Sequence, residues 1–250
     1  MSNYGEALPD LYRLDRINGW SIGMRAITHA LFNSLSLPPG PFLELGCGSG
    51  IFNAELQAHF PNRLVLGADL HPVALTYAHQ TVGQPPPLLR ADLQQLPLGA
   101  DAIAAIFALD VFDQRGVDLR TALAESWRVL QPDGLLLIRV SAHPWLEGEH
   151  DTAFNTGRRF RRDEILDLLA ATGFRPQRVT YANSLLSPPL VAIRLLQRWL
   201  GLQVAEADLT DSAANRLFAQ ALQWEAAWLS HTDLPFGISL YAIAQKVPPT

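Results

Sequence analysis

Residues 42–50 read FLELGCGSG, a short run of strand character followed by glycine at every second place, ending where a helix can begin. Glycine allows backbone conformations and close approaches that a side chain forbids. A strand that ends this way offers backbone N–H groups to a ligand at the mouth of the next helix, and a nucleotide-like molecule is the natural guest. The spacing is GxGxG (Gly46, Gly48, Gly50) with Glu44 ahead of it. Dinucleotide-binding dehydrogenases carry GxGxxG instead, and no second nucleotide signature follows, so a nicotinamide oxidoreductase is disfavoured.

The turn stands near the head of an alternating pattern. Apolar residues at helical spacing predict a helix over 20–35, stopped by Pro38, Pro39 and Gly40. Strands follow at 41–45, 63–69, 87–92, 102–110 and 134–140, with helices at 50–59, 72–80 and 119–130 between them. Strand and helix in alternation require a parallel sheet covered on both faces, a doubly wound α/β fold. Beyond 140 the rhythm changes to a polar loop reaching about 160, a helix closed by Gly173, a strand at 176–182, helices at 189–200 and 211–230, and a last strand at 237–246. The first 18 residues show no clear periodicity. The simplest organisation is one domain over 1–250, with a helical cap at 1–40, a ligand-binding core at 41–141, and lid helices and final strands at 142–250.

Composition narrows the partners. Hydrophobic residues make up 48% and charged ones 17%, enough apolar matter for a core, and a net charge of −5 provides no field to draw in nucleic acid. Cys47 is the sole cysteine, which excludes an intrachain disulfide and a multi-cysteine metal site and suits a reducing cytoplasm. His29, His59 and His79 lack metal-ligand spacing, so no metal is expected. The amino-terminal stretch does not resemble a signal peptide, and no run reaches the roughly 18 apolar residues of a membrane span. A soluble protein is expected, with contact at a membrane surface left open.

Taken together, these motifs resemble the class I S-adenosylmethionine-dependent methyltransferases, in a type 11-like bacterial branch. ELGCGSG is similar to their first motif, GADLHP to their second, ADLQQLPL to the segment that brackets adenine, and LAESWRVLQPDGLLLIRV to the helix and strand closing the parallel part of the sheet. Trp20, Arg25 and the stretches YANSLLSPPLVAIRLLQRWL and LPFGISLYAIAQK resemble the branch associated with glycan and lipid-linked sugar metabolism. The resemblance implies a Rossmann-like seven-stranded, mostly parallel sheet with an antiparallel last strand, and S-adenosylmethionine as cofactor. It places Glu44 near the methionine moiety, the backbone of Gly46, Cys47, Gly48 and Gly50 around it, and Arg25 against its carboxylate. Asp69, 19 residues after Gly50 at a strand end, would hold the ribose hydroxyls. Leu70 would pack on adenine, Asp92 and Leu93 would meet its amino edge, and Leu109 and Asp110 would line the methyl-donor side.

The chemistry implied is in-line methyl transfer to a small-molecule acceptor. A hydroxyl acceptor needs its proton removed, and ligands of such sheets lie beyond the strand carboxyl ends. The loop after the last parallel strand holds His143, Glu147, Glu149, His150 and Asp151. The adjacent pair His150 and Asp151 is the first candidate for base and orienter, and Asp113 is the alternative. Cys47 lacks a partnering base and reads as a small buried side chain. GRRFRR concentrates Arg158, Arg159, Arg161 and Arg162, which suits a phosphorylated or diphosphate-linked acceptor, including a lipid-linked glycan-type intermediate. The apolar stretch PPLVAIRLLQRWLGL suits core packing, a dimer interface or a lipid surface. A catalytically silent, cofactor-binding partner subunit is the competing reading. Acceptor atom and oligomeric state are not written in the sequence.

Overall fold

The computed structural model describes residues 4–33, 35–82, 86–148, 151–152, 154–188, 191–192 and 213–247. Two helices, α1 (Tyr4–Ile17) and α2 (Gly19–Asn33), precede β1 (Phe42–Leu45), α3 (Ile51–His59), β2 (Val65–Asp69), α4 (Pro72–Val82) and β3 (Leu88–Arg90). Then come β4 (Ile103–Leu109), α5 (Leu119–Val129), β5 (Leu130–Ser141), α6 (Arg162–Ala171), β6 (Phe174–Ala182), α7 (Ala213–Leu229) and β7 (Ser239–Lys246). The seven strands lie in the order β3-β2-β1-β4-β5-β7-β6. Only β7 runs against the others, pairing antiparallel with both β5 and β6.

The central strands are buried on both faces, which is why they read as unbroken apolar runs rather than alternating ones. Successive side chains serve opposite layers. Leu43 and Leu45 pack with Ile106, Leu136, Leu123 and Ile165 beneath α5 and α6. Phe42 packs with Phe107, Tyr241, Met24, Leu31 and Leu222 beneath α2 and α7. Helices α2 and α7 cross very closely: a Cβ placed on Gly23 would stand 2.3 Å from Leu222 Cβ.

Leu45 at the end of β1 pairs with Ala68 of β2 on one side and Ala108 of β4 on the other. The strand order reverses there, so a crevice opens beyond the carboxyl end of β1. That crevice is where the glycine turn lies.

Helix α1 departs from expectation. Leu8, Leu11, Tyr12 and Asp15 do share a helical face, with Leu8 fully buried, but Pro9 and the charges around it mask the pattern in the sequence. The helix expected at 189–200 lies outside the described residues apart from 191–192, while that expected at 211–230 is observed from Ala213.

Candidate active site

The turn after β1 is built as its glycines require. Gly46, Gly48 and Gly50 all take positive φ (67°, 47° and 74°). A Cβ on Gly46 would lie 2.6 Å from the Val111 side chain, and one on Gly50 would lie 2.6 Å from Ala78 Cβ, so conformation and space both exclude a side chain. The Gly46 and Cys47 amides donate to the Ala68 carbonyl at 2.8 and 3.0 Å. The Gly48 amide donates to Asp69 Oδ2 at 3.0 Å, and the His71 amide to Asp69 Oδ1 at 2.8 Å. Asp69 is thereby fixed beside the turn with acceptor capacity to spare. Cys47 is buried and faces β2, where burial pushes its thiol up and keeps it protonated.

Glu44 lies beneath this turn, 4% exposed, with one carboxylate oxygen lacking any hydrogen-bond partner. Burial, and next the charge of Asp15, push its carboxyl well above the usual range, while the neighbouring Asn53 side chain opposes that shift. Asn53 is wholly buried, and both polar atoms of its side chain are unpartnered. Orphaned groups of this kind under a backbone N–H turn fit an amino-acid-like ligand fragment, whose amino group would donate to Glu44 Oε2 and Asn53 Oδ1 and whose carboxylate would accept from Asn53 Nδ2. At the far side of the crevice Leu70 stands 54% exposed, Leu93 is half-buried, and Asp92 is exposed with Oδ1 accepting from the Gln94 amide.

Helix α1 covers the turn. The Tyr12 ring lies over Gly48 and against Tyr77 of α4, and Ser49 Oγ donates to Asp15 at 2.5 Å. Arg25 does not stand open toward the crevice. Its Nε donates to Glu55 at 3.0 Å and its Nη1 to Asp15 at 3.2 Å. It therefore ties α2 to α1 and α3, which the sequence reading did not foresee.

At the end of β4, Leu109 is half-buried and Asp110 takes a left-handed φ of 53°. Arg139 of β5 grips the Asp110 carboxylate at 2.5–2.9 Å and reaches Tyr241 Oη at 3.1 Å, with Trp20 across its face. Tyr241 in turn meets Thr28 Oγ1 at 2.8 Å. Burial works against the Arg139 charge, and Asp110 more than offsets it, so the guanidinium stays protonated. A cation inside the apolar run GLLLIRV was the visible signal for this network; its partners were not adjacent in sequence. Asp113 is 1% exposed, and its Oδ2 accepts from the Ser141 amide at 2.8 Å. Burial and then the Asp110 charge push its carboxyl up to about 6.

The loop after β5 is organised by its own ion pairs. His150 and Glu149 lie outside the described residues. Asp151 accepts two bonds from Arg159 in a pair that is almost completely buried, and Arg159 also donates to the Ala142 carbonyl. Among the described residues, the partner of the Asp151 carboxylate that sequence did not foresee is Arg159. Arg158 pairs with Glu164 and Arg161 with Asp163. An open cleft of about 670 Å³ between α5 and α6 is lined by Arg120, Arg158 and Arg161, but also by Asp118, Asp163, Glu164 and Asp167. Its charges are mixed, and it lies apart from the glycine turn.

The comparisons agree with this geometry. The family described as "Methyltransferase domain" matches residues 43–138. A malonyl-[acyl-carrier protein] O-methyltransferase of Legionella pneumophila is 29% identical over 137 residues, covering 54% of this chain and 48% of that protein. A demethylmenaquinone methyltransferase of Deinococcus radiodurans is 31% identical over 115 residues, covering 44% and 46%. The chain thus spans about half the length of these curated relatives. Among solved structures, geranyl diphosphate C-methyltransferase from Streptomyces coelicolor, in complex with Mg²⁺, geranyl diphosphate and S-adenosyl-L-homocysteine, shares the fold. Its TM-score is 0.59 at 16% identity, over 99% of this chain and 85% of that one. The segment that matches a methyltransferase domain, 43–138, thus runs from β1 with its glycine turn into β5, and the whole chain shares its fold with solved methyltransferase structures.

Proposed function

We propose that this chain works as one catalytic unit that transfers a methyl group from S-adenosylmethionine to a small-molecule acceptor. The observation that carries the proposal is the buried, unpartnered oxygen of Glu44 beneath the GxGxG turn, with the orphaned amide of Asn53 beside it. When bound, the cofactor supplies a sulfonium methyl already activated for in-line displacement. The residues bind and orient. Glu44 and Asn53 would hold the amino-acid end, Asp69 the ribose hydroxyls, and Leu70, Asp92 and Leu93 the adenine. Leu109 and Asp110 border the methyl side from β4, with Arg139 fixing Asp110. Arg25 serves the site through Asp15 and Ser49 rather than by direct contact. Alignment of donor and acceptor contributes up to roughly 7–11 kcal/mol in ideal cases, so the protein needs little more than a base for a protic acceptor.

Among the expected bases, His150 is the first candidate for a protic acceptor and Asp113 the alternative: the Ser141 amide caps only Oδ2 of Asp113 and leaves Oδ1 without a partner, whereas Asp151 is engaged by Arg159. The relatives' names point to acceptors of three chemical kinds and narrow this one no further than an organic molecule. A phosphorylated or lipid-linked glycan-type acceptor rests on the arginine cluster. The pairing of Arg158, Arg159 and Arg161 with Glu164, Asp151 and Asp163 speaks for a neutral acceptor instead. Among the described residues no helix is long and apolar enough to cross a membrane, and a cytoplasmic place of work with optional contact at a membrane surface completes the proposal.

Calorimetry tests the donor. S-adenosylhomocysteine should bind and NAD should not, and the reverse result overturns the reading. A panel of candidate acceptors incubated with S-adenosylmethionine, followed by mass spectrometry for the gain of one methyl, then identifies the substrate.

A further inference from the structure

Beyond the donor crevice, β5, β7 and β6 lie side by side with their loops at the same edge of the sheet. His143 stands two residues past β5 with φ 62°, in a region that ordinary side chains avoid. Its ring is sandwiched between Phe236 and Tyr181, at centroid distances of 4.8 and 5.2 Å, with Trp145 tilted at 5.6 Å. Its Nε2 is buried and has no hydrogen-bond partner among the described residues. Phe236 and Trp145, which cover it, are themselves 39% and 48% exposed, so this nitrogen lies one side chain beneath the surface.

A second orphan lies across the entry of β7, just past the end of β6. Gly237 follows Phe236 and sits so tightly on Ala182 that an added Cβ would stand 2.2 Å from the Ala182 carbonyl oxygen. The next residue, Asn183, is 0% exposed, has φ 59°, and both polar atoms of its side chain lack partners. Glu225 of α7 closes this corner. It accepts the Ser184 and Leu185 amides at 2.8 and 3.0 Å and keeps its other oxygen unpartnered. Unpaired buried groups each cost on the order of 1–3 kcal/mol, and two past neighbouring strand ends, with a third on α7 close by, are a concentrated, unrelieved cost.

We propose that His143 Nε2 and the Asn183 side chain are the polar contacts of an acceptor subsite at the exits of β5 and β6, built for a neutral, hydroxyl-bearing ring. The proposal rests on the methyltransferase reading above and adds the chemical class of the acceptor. The imidazole nitrogen and the Asn183 amide oxygen accept hydrogen bonds while the Asn183 amide nitrogen donates, which asks for hydroxyl groups, able to do both, in the ligand. The charges nearby argue against an anion: Glu225 faces the corner from α7, Asp113 lies at the exit of β4, and the cation approaching from the loop, Arg159, is neutralised by Asp151. Burial and then the Arg159 charge lower the His143 pKa, which keeps the ring neutral and Nε2 able to accept. Tyr181 and Phe236 hold the His143 ring between them, and the exposed sides of Phe236 and Trp145 supply the flat apolar surface that a ring-shaped ligand covers.

The test uses the full chain labelled with ¹⁵N, with and without S-adenosylhomocysteine, titrated with phenol, methyl glucoside and phenyl phosphate. Phenol, methyl glucoside or both should shift the Asn183 side-chain amide and His143 imidazole signals saturably, and which of them does so tells an aromatic from a sugar ring. Phenyl phosphate should not. His143→Phe keeps the stacking, and Asn183→Gly keeps the left-handed backbone. Each should weaken the neutral ligand about tenfold, the scale of one lost hydrogen bond, with S-adenosylhomocysteine affinity unchanged. Failure of both neutral probes, or preference for phenyl phosphate, overturns the subsite. Those wild-type titrations decide even if a variant does not fold. Failure of S-adenosylhomocysteine alone would instead strike the donor reading.

Discussion

The carboxylate of Asp151 and the guanidinium of Arg159 meet through two hydrogen bonds of 2.6 and 2.9 Å, with each side chain only 5% exposed. A buried pair of this kind is costly to break from one side, because the remaining charge is stranded. Arg159→Ala or Asp151→Asn should lower unfolding free energy by about 3–5 kcal/mol, whereas Asp151→Leu combined with Arg159→Met should recover most of the loss. Denaturant titration of the three variants checks this. An Arg159→Ala variant is consequently a test of folding before it is one of acceptor binding.

Asp113 gives the fold a pH dependence. Its carboxyl is pushed up to about 6, so the folded chain keeps a proton that the unfolded chain has released. The stability this provides is present below the ordinary carboxylate range and is lost as pH rises through about 6. Asp113→Asn stays neutral throughout and retains an oxygen for the Ser141 amide. Its stability relative to the parent should rise by about 1–3 kcal/mol as pH is raised from about 4 to about 7.5. Thermal unfolding across that range reads the difference.

Glu44 sets stability against binding. Burial disfavours the charged form of Glu44, so Glu44→Gln, which carries no charge at any pH, should gain stability over the parent as pH rises while weakening S-adenosylhomocysteine at least tenfold. Asp69→Ala should weaken the same ligand by a few kcal/mol at most, the loss of two charge-assisted hydrogen bonds. It also strands the Gly48 and His71 amides, so its stability should fall rather than rise. Calorimetry and denaturation measured together separate the two variants.

Gly23 is the narrowest point between α2 and α7. Even Gly23→Ala forces the helices apart from a 2.3 Å approach, and overpacking of this kind costs about 1–3 kcal/mol. Gly99, whose Cβ would meet nothing within 4 Å, is the control, and Gly99→Ala should leave the melting temperature nearly unchanged.

What could be read from the sequence was what is local. The strand, glycine turn and helix around residues 42–59 are one continuous signal, because turn conformation and apolar period act over a few residues. The seventh strand, antiparallel at the chain's end, matched the expectation drawn from resemblance. Contacts between distant residues were hidden. Arg139 was conspicuous within an apolar strand, yet its partner Asp110 is 29 residues away, and nothing in either neighbourhood names the other. Arg25 went astray for the same reason: an arginine on a helix face shows its charge but not which of several acids the fold will bring to it. Asn183 and Glu225 carried no signal at all, since burial without a partner is a property of three-dimensional packing.

The close crossing of α2 with α7 also orders events during synthesis. The donor turn and its flanking strands are complete once residue 141 has left the ribosome, but Met24, Ile27 and Leu31 wait for Leu222 and Leu229, nearly the whole length of the chain later. At roughly 5–20 residues per second that interval lasts about 10–40 seconds, during which a greasy helix face near the start of the nascent protein has no cover from its later partner. Helix α7 is therefore the one that retires α2 from the reach of chaperones, and a chain interrupted before α7 would carry an intact cofactor turn on a body that cannot close.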